Sequence, residues 1–283
     1  MTKREQLHDL IRSFDSCAVA FSAGVDSTVV AKAAHLALGD RAVAVTATSA
    51  SLAEGELDEA RELAQLIGIR HRVISTQEFK DPSYTRNAPD RCYHCKSELY
   101  LQLDQIVDEL GVKTVLNGAN ADDLNDYRPG LRAASEHHVR SPLAEIGMTK
   151  QQVRELAAEW GLPVWDKPAT PCLSSRVAYG EQVTPARLRM IDAAEQFLRR
   201  NGFSQVRVRY HANDLARVEL PLSDLPRAAA PVFRQELTKE LLLLGFQYVT
   251  LDLEGFRSGS LNSVIPIQSL TASKGRQGPI PEA

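Results

Sequence analysis

Cysteine is scarce. The 283-residue chain has four, Cys17, Cys92, Cys95 and Cys172, too few for the disulfide scaffold of a secreted protein of this length, which leaves metal, redox or nucleophilic roles open. Excess charge is missing as well: Lys and Arg total 33 against 36 Asp and Glu, a formal −3, which argues against a partner held mainly by electrostatics, such as nucleic acid, while permitting a local basic patch. No stretch reaches the roughly 18 apolar residues of a membrane span, and MTKREQLHDLIRSF has no unbroken apolar h-region of a signal peptide. A soluble cytoplasmic protein is expected, without membrane contact. There is no internal repeat. What remains is ordinary globular composition, 43% hydrophobic and 24% charged with 16 Gly and 14 Pro, in a chain long enough for about two domains at roughly 150 residues each.

The first half alternates short apolar runs with amphipathic stretches. CAVAF (17–21), RAVAVTA (41–47), HRVIS (71–75) and KTVLNG (113–118) read as strands, with helices expected over 26–38, 52–67, 92–110 and 149–160. Such alternation predicts an α/β fold with a parallel sheet. Residues 76–91 and 119–136 are polar and long enough to be functional loops, and the prolines of WDKPATPCLSSR suit a further loop carrying Cys172. From Thr184 the order becomes helix (185–201), two strands (205–211 and 215–221), helix (223–244) and strand (248–254). The predicted organisation is a parallel-sheet domain over 1–180, a smaller α/β domain over 181–266 and a disordered tail over 267–283.

CAVAF runs directly into Ser22-Ala23-Gly24-Val25-Asp26-Ser27-Thr28 and then a helix. Backbone N–H groups at that helix start form a phosphate site, with hydroxyls from Ser22, Ser27 and Thr28, close approach at Gly24, and Asp26 able to cap the helix or help hold Mg2+. No Lys follows the Gly, so this is not a Walker A loop. A bland reading, a capped strand-to-helix turn, is weakened by its place after the first strand.

The loop resembles the SGGxDS loop of the PP-loop ATP pyrophosphatases, the adenine nucleotide α-hydrolase-like enzymes, with Ala23 where the second glycine usually stands. RCYHCKSELY, NGANADDLNDYRPG, KPATPCLSSR, VRVRYH and GFRSGSLN extend the likeness over about residues 5–264 and make it specific to one branch, since together they resemble the LarE sulfur transferases, which help make the nickel-pincer nucleotide of lactate racemase. That resemblance implies ATP-dependent adenylation of a carboxylate on pyridinium-3,5-biscarboxylic acid mononucleotide, conversion to a thiocarboxylate, a small-molecule rather than a nucleic-acid partner, and a homo-oligomer. It names no sulfur source. It also implies ATP contacts from Ser22, Gly24, Val25, Asp26, Ser27 and Lys167.

A carboxylate is a poor electrophile because oxide would have to leave, whereas an acyl-adenylate loses AMP to an attacking sulfur. In single-cysteine LarE proteins the cysteine matching Cys172 surrenders its own sulfur. Here Cys92-Tyr-His-Cys95 adds a C-x2-C at a predicted helix start, where the dipole favours thiolates, and the chain is similar to three-cysteine LarE proteins, in which Cys92, Cys95 and Cys172 hold a 4Fe-4S cluster with one iron free of protein ligand. Zinc with His94 or a water as fourth ligand, a redox pair, and sacrifice of Cys172 stay open on spacing alone. Cys17, inside an apolar strand, reads as packed core.

Asp122, Asp123 and Asp126 crowd the loop after KTVLNG, where carboxylates suit Mg2+ or the adenylation site, although Asp and Asn also favour plain turns. Arg128 and Lys167 could neutralise phosphate, or be surface cations. Arg207 and Arg209 alternate with Val206 and Val208, so strand period two puts both guanidiniums on one face, with His211 following. A solvated strand face is the usual cause; the LarE pattern instead puts these two and Arg257 at the substrate phosphate. A tRNA thiolase is the nearest rival and would need a broad basic surface. A glutamine-dependent synthetase would lack its glutaminase, and a non-catalytic nucleotide binder leaves Ser22, Asp26 and Cys172 without a task.

Overall fold

The computed structural model describes residues 1–125 and 128–257. Asp126, the tail over 267–283 and the end of GFRSGSLN lie outside the described residues. The described chain divides into two units, one of residues 1–85 and 90–172, the other of residues 86–89 and 173 onward. The break follows Cys172, not residue 180, and the short segment 86–89 joins the second unit. Asn87 explains the exchange: it is fully buried and its amide donates to the carbonyls of Val177 and Ala178.

In order, the first unit holds α1 (Lys3–Arg12), β1 (Cys17–Ala20), α2 (Val25–Leu38), β2 (Ala42–Thr48), α3 (Glu56–Ile67), β3 (Arg70–Ser75), α4 (Pro82–Thr85), α5 (Arg91–Leu110), β4 (Thr114–Leu116), α6 (Pro129–Glu136), α7 (Pro142–Glu145) and α8 (Lys150–Glu159). The four strands form one parallel sheet in the order β3-β2-β1-β4. Cys17 and Val19 of β1 face a core shared with α1, α2, α3 and α8, whereas Ala18 and Ala20 face one shared with α5 and α6. A parallel sheet covered on both faces needs apolar residues at consecutive positions, which is why CAVA and AVAV carry no polar side chain. Cys17 is fully buried in this packing, and burial pushes its thiol up to about 12.

The second unit holds α9 (Pro185–Arg200), β5 (Arg207–His211), β6 (Leu215–Glu219), α10 (Leu225–Ala229), α11 (Pro231–Leu243) and β7 (Tyr248–Leu251). Its sheet runs β5-β6-β7, antiparallel then parallel. Val208, Tyr210, Ala216 and Val218 are buried on its apolar face, with Leu188, Ile191 and Leu198 of α9 and Leu237 and Leu241 of α11.

Several expectations shift. The single helix over 223–244 is two helices, because Pro231 has no N–H to donate and drives Ala230 into an extended conformation (φ −58°, ψ 139°). The acidic helix begins at Glu56 rather than residue 52. Both polar loops carry short helices, Glu78–Lys80 and α4 in one, Ala121–Asn125 and α6 in the other. Helix α1 had no counterpart in the sequence reading, although its capping box, Thr2 with Glu5, was there to be read. Among the described residues no helix is long and apolar enough to cross a membrane.

The sheet order places β4 beside β1 while the chain leaves β1 toward β2, and the crevice at such a reversal is where parallel sheets bind ligands. Gly118, just beyond β4, lies so close to the start of α2 that a Cβ there would stand 2.7 Å from the Ser27 nitrogen and 3.1 Å from the Asp26 carbonyl carbon. Gly118→Ala is expected to push the two loops apart, lowering stability by about 1–3 kcal/mol in urea unfolding and weakening nucleotide binding in the same variant.

Candidate active site

Residues 22–24 carry the chain from β1 into α2. Ala23 takes φ +56°, the left-handed region, and is buried. That conformation strains any residue with a Cβ, which is the physical reason for a glycine at this point in related loops. Gly24 is the N-cap with no side-chain cap of its own. The Ser27 and Thr28 hydroxyls turn back to donate to the Gly24 carbonyl, at 3.0 and 2.9 Å, so the buried Thr28 hydroxyl is committed to the loop rather than offered to a ligand. Ser22 is exposed, and its hydroxyl lies 3.2 Å from that of Ser27. The amides of Val25, Asp26 and Ser27 are the first three of α2 and have no acceptor within the helix, so they form the anion-binding end.

Asp26 does not cap α2. Its carboxylate takes Lys150 Nζ at 2.5 Å and Asn120 Nδ2 at 3.1 Å. Lys150, the first residue of α8, also donates its backbone N–H to Asp122 at 2.8 Å. Sequence reasoning missed Lys150, whose one signal was its position at a capped helix start. Asp123 accepts from the Asn120 backbone at 3.1 Å and pairs with Arg128 at 2.7 Å, so the acidic loop is braced by its own carboxylates. Lys167 closes onto both oxygens of Glu59 in α3, at 2.6 Å each.

Cys92 and Cys95 lie in the first turns of α5 and, with Cys172, in the same unit as the phosphate loop. Cys92 and Cys172 are exposed and Cys95 is half-buried. The helix start does not make Cys95 a ready thiolate: burial pushes its thiol up to about 12, and the charge of Cys172 adds to the rise. Lys96 answers all three sulfurs. Burial alone would lower its pKa, yet Tyr100, Cys95, Cys92 and Cys172 together hold it above the usual lysine value.

The three thiols share one electrostatic neighbourhood, each acting on Lys96. His94 faces Asp81 at 3.2 Å through Nδ1 and Asp90 at 3.6 Å through Nε2, so both ring nitrogens are engaged. Among the described residues, no group of three or more His, Cys, Asp or Glu is placed to hold a single metal ion, which leaves a zinc site with His94 unsupported. A four-iron cluster asks each cysteine for a different iron.

In the second unit Arg207 and Arg209 share one sheet face, opposite Glu219 and Arg217 of β6. That face is not solvated: Arg207 is 5% exposed and Arg209 3%. Arg209 pairs with Glu219 at 3.0 Å and donates to the Ser175 carbonyl at 2.9 Å. Arg207 stacks over Phe256 and donates to the Arg257 carbonyl at 3.3 Å. Burial first, then the cations of Arg209 and Arg176, lowers the pKa of Arg207. Arg257 pairs with Glu254 at 2.6 Å and approaches Asp252 at 3.5 Å.

A parallel sheet with a strand-to-helix phosphate loop at its reversal point is the arrangement of several nucleotide-binding classes, and comparison with known proteins assigns this one to the PP-loop ATP-using enzymes, since residues 4–243 match the asparagine synthase family model. Within that class the chain belongs to the LarE family of ATP-dependent sulfur transferases. It is 41% identical over 265 residues to the pyridinium-3,5-bisthiocarboxylic acid mononucleotide synthase of Lactiplantibacillus plantarum, covering 93% of this chain and 95% of that one. An uncharacterised protein of Synechocystis sp. is 49% identical over 264 residues, 93% of this chain and 98% of its own. A tRNA-specific 2-thiouridylase of Xanthobacter autotrophicus is 33% identical over 189 residues, which is 53% of this chain and 48% of the thiouridylase.

Two outcomes test the site. Ala23→Gly relieves a left-handed alanine and is expected to raise stability by about 1 kcal/mol, measured by urea unfolding, with ATP binding retained. With metal-free protein at neutral pH, iodoacetamide is expected to label Cys92 and Cys172 first and Cys95 and Cys17 last, because the alkylated species is the thiolate; peptide mass mapping reads the order. Labelling of Cys95 ahead of both exposed cysteines would contradict the raised pKa.

Proposed function

We propose that this enzyme adenylates a carboxylate of pyridinium-3,5-biscarboxylic acid mononucleotide with ATP and Mg2+ and converts it to a thiocarboxylate, with sulfur delivered at Cys92, Cys95 and Cys172. The observation that carries this reading is the grouping of three thiols about Lys96, in the unit that also holds the phosphate-binding start of α2.

The residues divide the work by charge. The first-turn amides, Ser22 and Ser27 cradle the triphosphate, Gly24 and Val25 let it approach, and Asp26 with Asp123 and Asp126 serves Mg2+ or orients the adenylation site. Asp26 is now neutralised by Lys150, which makes Lys150 a cation available to the phosphates as Asp26 turns to the metal. Lys167 is the further nucleotide contact, once parted from Glu59. The substrate carboxylate oxygen attacks the α-phosphorus and pyrophosphate leaves; a sulfur nucleophile then attacks the acyl carbon and AMP leaves. Arg207, Arg209 and Arg257 take the mononucleotide phosphate: among the described residues no carboxylate pairs with Arg207, and a bound dianion relieves its buried charge.

Cys92, Cys95 and Cys172 would hold a 4Fe-4S cluster, which would supply sulfur for repeated transfer without consuming a cysteine. The second reading, sacrifice of the Cys172 sulfur, is favoured by the exposure of that thiol. A cytoplasmic homo-oligomer completes the proposal, and the net charge of −3 favours a small molecule over tRNA as its substrate.

The test is a turnover assay with ATP, the biscarboxylate and sulfide under anaerobic conditions. Several pyrophosphates and thiocarboxylates per chain are expected, Ser22→Ala and Asp26→Ala should lose about a hundredfold in rate, and each of Cys92→Ala, Cys95→Ala and Cys172→Ala should stop repeated transfer. Sacrifice predicts a single turnover, sensitivity to Cys172→Ala alone, and a chain lighter by roughly 34 Da, a loss that sets it apart from cysteine oxidation, which adds mass.

A further inference from the structure

Lys167 is held in an ion pair that a role at the nucleotide has to break. Its Nζ donates to both oxygens of Glu59, at 2.6 Å each, in a partly buried pair. The pair lines a cavity of about 640 Å³ together with Glu62 and Asp166, so that three carboxylates face one ammonium there. The contact is built to part. Glu59 lies in the acidic first turn of α3, where the helix dipole stabilises a carboxylate with or without a lysine bound, and the same dipole opposes the ammonium. The backbone around Lys167 is anchored independently of its side chain: Arg154 of α8 donates to the carbonyls of Trp165 and Lys167, at 2.7 and 2.8 Å, and the Lys167 N–H donates to the Val164 carbonyl at 3.1 Å. The ammonium can therefore leave Glu59 by rotamer change, with the backbone kept in place.

Where it can go follows from the sheet. Strands β1 and β2 are adjacent and parallel, so α2 and α3, which follow them, begin at the same edge of the sheet. The two helices are neighbours, with Lys32 of α2 donating to the Ile67 carbonyl of α3 at 3.5 Å. Packed helices stand about 8–10 Å apart, a span within the swing of a lysine's four-carbon stem. A triphosphate on the first-turn amides of α2 is thus a second anionic partner for Lys167, and a more highly charged one than Glu59. We propose that Glu59 is a latch on Lys167, a positioning residue that withholds the ammonium from the phosphate loop until a triphosphate takes it, and recovers it when pyrophosphate leaves. Nucleotide then binds against the latched population, which lowers its apparent affinity and eases product release. The proposal rests on the reading above that Lys167 contacts the nucleotide, and adds to it the state in which that contact waits.

The experiment measures, by calorimetry, binding of an ATP analogue with a methylene bridge between its α- and β-phosphates. Wild type is compared with Glu59→Gln, Glu62→Gln, Lys167→Ala and the double variant of Glu59→Gln with Lys167→Ala, each checked for folding by thermal unfolding. Glu59→Gln should bind about tenfold more tightly than wild type. Lys167→Ala should bind more weakly, and the double variant should match Lys167→Ala, because without its ammonium there is nothing to latch. Glu62→Gln removes the same charge from the same cavity and should bind as wild type does. A gain in Glu62→Gln equal to that in Glu59→Gln, or a gain that survives in the double variant, would overturn the latch in favour of general charge repulsion. A loss in Lys167→Ala with no gain in Glu59→Gln would remove the latch and leave Lys167 at the nucleotide, whereas no change in either variant would remove both. Should Glu59→Gln not fold, Glu59→Asp takes its place, since its carboxylate stays at the helix start but falls a methylene short of Lys167, and the same outcomes decide.

Discussion

The approach of Gly118 to the start of α2 is the constraint on which the nucleotide end of the molecule depends. Because β4 lies against β1, the loop after β4 must pass over the first turn of α2, and only a residue without a Cβ fits above the Ser27 nitrogen. That passage brings Asn120 within reach of Asp26, and Asn120 in turn organises Asp122 and Asp123, while Asp122 receives the first amide of α8. One close backbone contact thus ties together the phosphate loop, the acidic loop and Lys150. The strain at Ala23, in the same loop, is held by the packed strand before it and the helix after it.

At the cysteines the governing quantity is the balance between burial and charge. A helix start favours thiolates, yet Cys95 is buried enough for desolvation to win. Lys96 shows the converse, its ammonium kept by anions despite burial. Metal binding at Cys95 would release its proton, since ligation requires the thiolate. The exposed positions of Cys92 and Cys172 leave two attachment points open to solvent.

The second unit solves a different problem with the same forces. One face of its small sheet is an apolar core, and the other carries arginines that are nearly as deeply buried, balanced by Glu219 and by Glu195, which accepts from both Arg176 and the Val208 amide. Carboxylates as fully buried as Glu195 and Glu219 serve to hold guanidiniums in place. Arg207 is the member of the set without such a partner among the described residues, held instead by the Arg257 carbonyl and the Phe256 ring.

Local pattern was enough for the parallel α/β architecture, because short apolar runs of β-branched residues and alanine that alternate with amphipathic helices suit the strands of a covered parallel sheet, and it was enough for the phosphate loop, whose residues are consecutive. The resemblance of the cysteine and arginine motifs to one family rested likewise on short contiguous segments. What only the tertiary structure decided were the properties set by residues far apart in the chain. The pairing of Asp26 with Lys150 spans 124 positions, that of Lys167 with Glu59 spans 108, and neither has a local signal. Asn87 belongs to the second unit because its amide meets carbonyls 90 positions away. Burial decided the rest: alternation placed Arg207 and Arg209 on one face but could not say that the face is covered. Sequence determines what lies next to a residue along the chain; desolvation depends on what the fold brings over it.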